Sequence, residues 1–203
     1  SNGAIVAIDP RNGNILAMAG SLDYFNDEID GNVNVAIRHR SPGSSIKPIV
    51  YAAAFDKGYT PDTILIDAET DFGQGYTPKN YDLQQRGPVN MRTALANSMN
   101  IPAVKTLYLV GVNEAVELAQ KLGMDSLNDP ERYGLSLVLG GGEVRLVDIT
   151  SAYGVLASEG VRYPHRAILK VDTQDETIFD ITEEAPEGDQ VLDTQTAQIT
   201  TNV

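Results

Sequence analysis

The sequence predicts a mixed α and β fold with more helix than strand. Residues 4–9 and 15–19 are apolar runs joined by Pro10-Arg11-Asn12-Gly13-Asn14, the pattern of a β-hairpin. Four later stretches of helical composition close at Gly58, Gly111, Gly123 and Gly160, the residue best suited to a left-handed helix end. Turn-rich, polar segments separate these elements, and no internal repeat or low-complexity tract interrupts them.

The elements follow in order. Asn12-Gly13 tolerates positive φ and makes the hairpin turn. Residues 21–40 are polar, with Asp, Asn and Gly scattered through them, and read as loop. Pro42-Gly43 breaks the chain before a helix over residues 44–57, with Pro48 in its first turn, where proline is tolerated. Residues 59–88 carry Gly73, Gly75, Pro78 and Gly87 and predict little regular structure. Asn90 caps a helix running to about Asn97. Ser98-Met99-Asn100 interrupts it, and Pro102 opens the next helix, up to Gly111. Residues 113–122 and 146–159 give two further helices, with Gly140-Gly141-Gly142 a flexible break between them. A second hairpin pairs residues 167–171 with 177–179, and Asp193 caps a last helix.

The chain has 203 residues, enough for one large domain with a substantial core. A formal net charge of -13 argues against nucleic acid or an anionic membrane surface as partner. With no cysteine, disulfides, thiolate catalysis and zinc–thiolate sites are excluded. Neither of the two histidines, His39 and His165, has a second at metal-ligand spacing, so no metal is expected. No apolar run approaches the roughly 20 residues that span a bilayer, and no signal peptide opens the chain. Ser1-Asn2-Gly3 reads as the scar of a cleaved expression tag, and residues 4–203 as one domain excised from something longer.

The strongest chemical signal is Ser44-Ser45-Ile46-Lys47. A serine three residues before a lysine at a helix start shares a face with it. A serine hydroxyl is a poor nucleophile until a neighbouring base takes its proton. A lysine can be that base when desolvation lowers its pKa. The bland alternative is a capping serine followed by a solvated lysine, because Ser-x-x-Lys is common. Ser98-Met99-Asn100 is the second element. At a helix break, its serine can relay a proton and its amide can bond both a lysine and a substrate. The bland reading of this triplet is helix capping.

In wider context these residues resemble a family. Arg40-Ser41-Pro42-Gly43-Ser44-Ser45-Ile46-Lys47-Pro48 resembles the nucleophile segment of bifunctional (class A) penicillin-binding proteins. Ala94-Leu95-Ala96-Asn97-Ser98-Met99-Asn100-Ile101-Pro102-Ala103-Val104 is similar to their second motif. Ala7-Ile8-Asp9-Pro10 with Gly13, Tyr76-Thr77-Pro78-Lys79-Asn80-Tyr81-Asp82 and Thr150-Ser151-Ala152-Tyr153 match in the same order. The resemblance implies the penicillin-binding protein and serine β-lactamase fold, a helical subdomain packed on an antiparallel sheet. It implies peptidoglycan D,D-transpeptidation by an acyl-serine mechanism. Ser44 would be the nucleophile, Lys47 its proton acceptor, Ser98 a proton shuttle and Asn100 a holder of the substrate amide. The Ser44 N–H would form one arm of an oxyanion hole. Implied partners are stem peptides ending in D-Ala-D-Ala and β-lactams as covalent inhibitors, with no cofactor. The implied location is extracytoplasmic, on a membrane-anchored parent.

One departure stands out. The family's third motif, Lys-Thr-Gly or Lys-Ser-Gly, is absent. Lys105-Thr106 is followed by Leu107 and reads as a helix surface position. The chain therefore reads as truncated, its sheet incomplete, with self-association through an exposed sheet edge expected. A hydrolytic β-lactamase would need Glu-x-x-Leu-Asn, but Met124 stands where the glutamate should precede Leu127-Asn128. A non-catalytic penicillin-sensing domain on the same fold is the alternative in a different class. Tyr24, Tyr76 and Tyr81 read as loop anchors, Gly140-Gly141-Gly142 lacks the rest of a phosphate loop, and Glu184, Glu187 and Asp189 read as a solvated loop.

Overall fold

The structure, a computed structural model, describes residues 1–73, 75–182 and 184–203. Strands β1 (Ile5–Ile8) and β2 (Ile15–Ala19) form the expected antiparallel hairpin. Gly13, at φ 76°, donates to the Asp9 carbonyl at 2.9 Å and closes the turn. The Arg11 guanidinium against Asp9 holds that carboxyl at about 2, below its usual range.

A 3₁₀ turn at Gly43–Ile46 leads into α1 (Lys47–Asp56). This helix is the centre of the core: Ile49, Val50, Tyr51, Ala52, Ala53, Ala54 and Phe55 are all buried. A helix apolar on every side must be enclosed by other elements. Gly58, at φ 96°, ends it by donating to the Phe55 carbonyl, while Tyr59 donates to that of Ala54.

Residues 59–88 hold more structure than the sequence predicts. Strand β3 (Ile64–Asp67) pairs with β4 (Gly87–Asn90), residue 64 against 90 through 67 against 87. The long intervening loop hides the pairing from local sequence patterns. β3 alternates, exposing Ile64 and Ile66 and burying Leu65 and Asp67.

Helix α2 (Met91–Ala96) starts on the predicted cap, with Asn90 Oδ1 accepting from Thr93 N at 2.9 Å. Helix α3 (Asn100–Val110) begins at Asn100, earlier than expected, so Pro102 lies in its first turn, where a missing N–H costs nothing. The surface reading of Lys105-Thr106 holds only for the lysine. Thr106 is buried, and its hydroxyl donates back to the Pro102 carbonyl at 2.9 Å. Helix α4 (Val112–Lys121) follows, and α3 and α4 both pack on α1.

A short unpredicted helix, α5 (Pro130–Tyr133), starts on Asp129 and runs into a 3₁₀ segment at Gly134–Leu139. Helix α6 (Leu146–Ala157) lies against β1. The second hairpin is present as β6 (Lys170–Asp172) and β7 (Thr177–Asp180), framed by a small pair, β5 (Val161–Arg162) and β8 (Asp189–Gln190). Helix α7 (Thr194–Asn202) is capped by Asp193 as expected and packs on α1 and α6.

Among the described residues the strands form four separate antiparallel pairs, consistent with the expected mixed fold built mainly on helices. Among the described residues β1 pairs only with β2, and Ile5 and Leu16 are exposed. Among the described residues, no helix is long and apolar enough to cross a membrane.

Candidate active site

Ser44 sits in the 3₁₀ turn that feeds α1, and Lys47 N donates to the Ser44 carbonyl. Side chains three apart eclipse one another in a 3₁₀ turn, so Ser44 and Lys47 emerge on one side. Ser44 is exposed, and among the described residues its hydroxyl makes no hydrogen bond. The turn itself is fastened. Ser45 Oγ donates to the Pro42 carbonyl at 2.6 Å, and Tyr153 on α6 donates its hydroxyl to the Ser45 carbonyl at 2.9 Å. Ser41 Oγ donates to the Gly140 carbonyl at 2.8 Å, and the backbones of Arg40 and Val144 exchange bonds of 2.9 and 3.0 Å.

Gly140 is the residue that allows this approach. It adopts φ 93°, and a Cβ there would lie 2.5 Å from the Gly43 nitrogen. The glycine run expected to be a flexible break is therefore a tight contact behind the turn that carries Ser44.

Lys47 is buried, at 1% exposure. Its Nζ donates to the Ser98 carbonyl at 2.6 Å, to Ser98 Oγ at 3.1 Å and to Asn100 Oδ1 at 2.8 Å. All three acceptors are neutral, so burial is not offset by an opposing charge. Desolvation lowers the amine from 10.5 to about 8. Such a group can exchange protons with a hydroxyl near neutral pH.

Ser98 faces Lys47 because of how α2 ends. Ser98 N donates to the Leu95 carbonyl at 2.8 Å and Met99 N to that of Ala94 at 2.9 Å, a left-handed helix stop. Ser98 occupies the position glycine usually fills, at φ 51°. Asn100 then opens α3, with Nδ2 donating to the Lys79 carbonyl at 2.9 Å. The structure thus joins Lys47, Ser98 and Asn100 by direct hydrogen bonds and sets Ser44 on the same turn as Lys47.

Residues to which the sequence assigned no role in the site also hold it. Asn80 and Lys79 contact Asn100, and Tyr153 and Gly140 hold the Ser44 turn. Three of these four belong to segments noticed only as motif matches. Of the loop tyrosines expected to be anchors, Tyr76 packs against the core, whereas Tyr24 and Tyr81 are exposed. A polar cleft of about 290 Å³, lined by Asn80, Tyr81, Asp82, Arg86, Asn97 and Ser98, opens beside the cluster. A larger apolar groove of about 460 Å³, between β3 and α3, contains none of Ser44, Lys47, Ser98 or Asn100. Its one amine, Lys105, donates to the Ile66 carbonyl at 2.6 Å, whereas the smaller cleft includes Ser98.

Comparison with known proteins agrees with this architecture. Residues 3–203 match the family model described as the penicillin binding protein transpeptidase domain. The chain is 36% identical over 184 residues to penicillin-binding protein 1A of Rickettsia bellii, covering 88% of this chain and 22% of that protein. It is 34% identical over 204 residues to penicillin-binding protein 2D of Bacillus subtilis, covering 97% of this chain and 28% of that one. The chain therefore spans about a quarter of the length of these relatives. The crystal structure of penicillin-binding protein 1A from Haemophilus influenzae superposes with a TM-score of 0.84 at 24% identity, over 98% of this chain and 34% of that one. PonA1 from Mycobacterium tuberculosis in complex with penicillin V has the same TM-score, 0.84, at 23% identity, over 98% of this chain and 54% of that one. On the strength of the family match and these relatives, the chain belongs to the penicillin-binding protein transpeptidase domain family, alongside its class A members.

Proposed function

We propose that the protein containing this chain cross-links peptidoglycan by acyl transfer through Ser44, on the outer side of the cytoplasmic membrane. The observation that carries the reading is Lys47: a buried amine with only neutral hydrogen-bond partners, near pKa 8, on the same turn as an exposed serine hydroxyl. Lys47 takes the Ser44 proton as Oγ attacks the penultimate D-alanyl carbonyl of a stem peptide. The carbonyl oxygen becomes an oxyanion and is held by backbone N–H, including that of Ser44. The amide bond then breaks, and the departing D-alanine nitrogen receives a proton through Ser98. A neighbouring stem's amine attacks the acyl ester, forms the cross-link and returns the proton to Ser44. Asn100 orients the substrate amide beside Lys47. A β-lactam acylates the same oxygen by opening its ring, so nothing is expelled and the ester persists.

The test is intact-mass spectrometry of the full-length protein after exposure to penicillin G, with peptide mapping. The expected result is one adduct, on the peptide that contains Ser44. No adduct, or an adduct on another residue, would refute the reading. An adduct without release of D-alanine from a D-Ala-D-Ala peptide would instead identify a penicillin-sensing domain.

A further inference from the structure

Asn100 opens α3, yet α3 has no cap from its own chain end: Met99, at the capping position, makes no side-chain hydrogen bond. The cap comes from Asn80, on the loop between β3 and β4. Asn80 Oδ1 accepts from Asn100 N at 2.9 Å and from Ile101 N at 3.2 Å. Two of the N–H groups a helix start leaves unpaired are thereby satisfied by one side chain from outside the helix.

The two ends of the Asn80 amide have the same shape and opposite chemistry. Its other neighbour decides which end faces α3. Nδ2 donates to Asp67 Oδ1 at 2.7 Å and to the Gln84 carbonyl at 2.8 Å. The Gln84 carbonyl can only accept, so the NH₂ must face it and Asp67, and the oxygen must face α3. Asp67 is fully buried, and its second oxygen accepts from Arg86 N at 3.0 Å. The Arg86 guanidinium stands 3.9 Å away. The preceding residue, Lys79, orients the next amide in the same way. Its carbonyl accepts from Asn100 Nδ2 at 2.9 Å, which turns Asn100 Oδ1 toward Lys47. A chain of directed contacts thus runs from Asp67 through Asn80 and Asn100 to the Lys47 amine.

We propose that Asn80, oriented by the buried Asp67 carboxylate, is a positioning residue that sets Asn100 and, through it, Lys47 for acylation. The inference rests on the acylation reading of Ser44 and Lys47 given above. Asn80 touches no reacting atom and acts by placement alone. A misplacement on the order of 1 Å at such a point can cost about a hundredfold in rate.

The test is a reciprocal exchange in the full-length protein, with acylation by a fluorescent penicillin followed in time and thermal melting measured beside it. Asn80→Asp faces one buried carboxylate with another, and acylation should fall roughly ten- to a hundredfold. Asn80→Ala should do the same. Adding Asp67→Asn to Asn80→Asp again sets a donor against an acceptor with one net charge, and should recover part of the lost rate, the Gln84 carbonyl still facing an acceptor oxygen. Asn80→Ala acylating at the wild-type rate would overturn the proposal. So would a loss of rate that only tracks the folded fraction, or an exchanged pair that regains the melting temperature but none of the lost rate. A wild-type protein that is not acylated would refute the acylation reading itself, a separate outcome.

Discussion

Lys47 Nζ lies 2.8 Å from Asn100 Oδ1, and among the described residues no carboxylate comes within ion-pair distance of that amine. The site therefore holds its lysine by burial and neutral acceptors. A carboxylate partner would favour the protonated form and disable the amine as a base.

The pH dependence follows in sign and window. Lys47 titrates near 8 in the folded protein and near 10.5 when unfolded. Below about pH 8 both states carry the proton, so stability does not vary with this group. Between about 8 and 10.5 the unfolded chain holds more proton than the folded one, so stability rises with pH. Acylation should climb about tenfold per pH unit up to about pH 8 and then level off, as the neutral amine accumulates. A penicillin acylation profile flat from about pH 6 to pH 9 would contradict this.

Lys47→Ala should abolish acylation and also weaken the fold. It leaves the Asn100 Oδ1 and Ser98 carbonyl without their buried donor, at a cost of about 1–3 kcal/mol. It relieves the burial of a charge at neutral pH, so the net loss should lie at the lower end of that range. Urea unfolding at neutral pH measures the balance, and the stability rise above pH 8 should vanish in this variant.

Ser44→Ala should remove the penicillin adduct with almost no change in melting. Ser44 is exposed and among the described residues its hydroxyl makes no hydrogen bond, so the change belongs with surface substitutions, within about 0.5 kcal/mol. Ser45→Ala is the control. It loses the bond to the Pro42 carbonyl and should be labelled nonetheless.

At position 98, glycine and alanine should separate stability from activity. Ser98 holds φ 51°, a left-handed conformation that disfavours any residue with a Cβ by about 1–2 kcal/mol. Both Ser98→Gly and Ser98→Ala lose the hydroxyl and should slow acylation. Only the glycine variant escapes the backbone strain, so it should unfold at higher urea than the alanine variant by roughly 1 kcal/mol. Equal stabilities would show that the backbone at residue 98 is unstrained.

Gly140→Ala should impair acylation without altering Ser44, Lys47, Ser98 or Asn100. The added Cβ would meet the Gly43 nitrogen at 2.5 Å in a backbone conformation that L-residues avoid. The turn carrying Ser44 must then shift. We expect about 1–3 kcal/mol of destabilisation and slower penicillin labelling, read by melting and gel fluorescence.

Much of this was legible because it is local. The hairpin turn at Asn12-Gly13, the helix stops at Gly58 and Gly160, and the caps Asn90 and Asp193 are written within a few residues of where they act. Ser44 with Lys47, and Ser98 with Asn100, are short-range patterns too. What sequence reasoning missed is long-range. β3 finds β4 across a long loop, and Asn80 caps a helix that begins 20 positions later. Gly140 looks like slack in the sequence, because only the approach of Gly43 gives its missing side chain a purpose. Thr106 is buried against the sequence expectation, because a threonine hydroxyl that donates to its own helix needs no partner elsewhere.

The fastening of the Ser44 turn also bears on the order in which the chain folds. The bonds that hold it, Ser41 to Gly140 and Tyr153 to Ser45, join residues 99 and 108 positions apart. Contacts so distant form only after large loops have closed, and loop closure slows folding. A nascent chain exposes Ser44 and Lys47 long before Tyr153 has been synthesised. If Ser44 reacts as proposed, reactivity toward penicillin would mark completed folding, and pulse-labelling during refolding would time the last step of assembly.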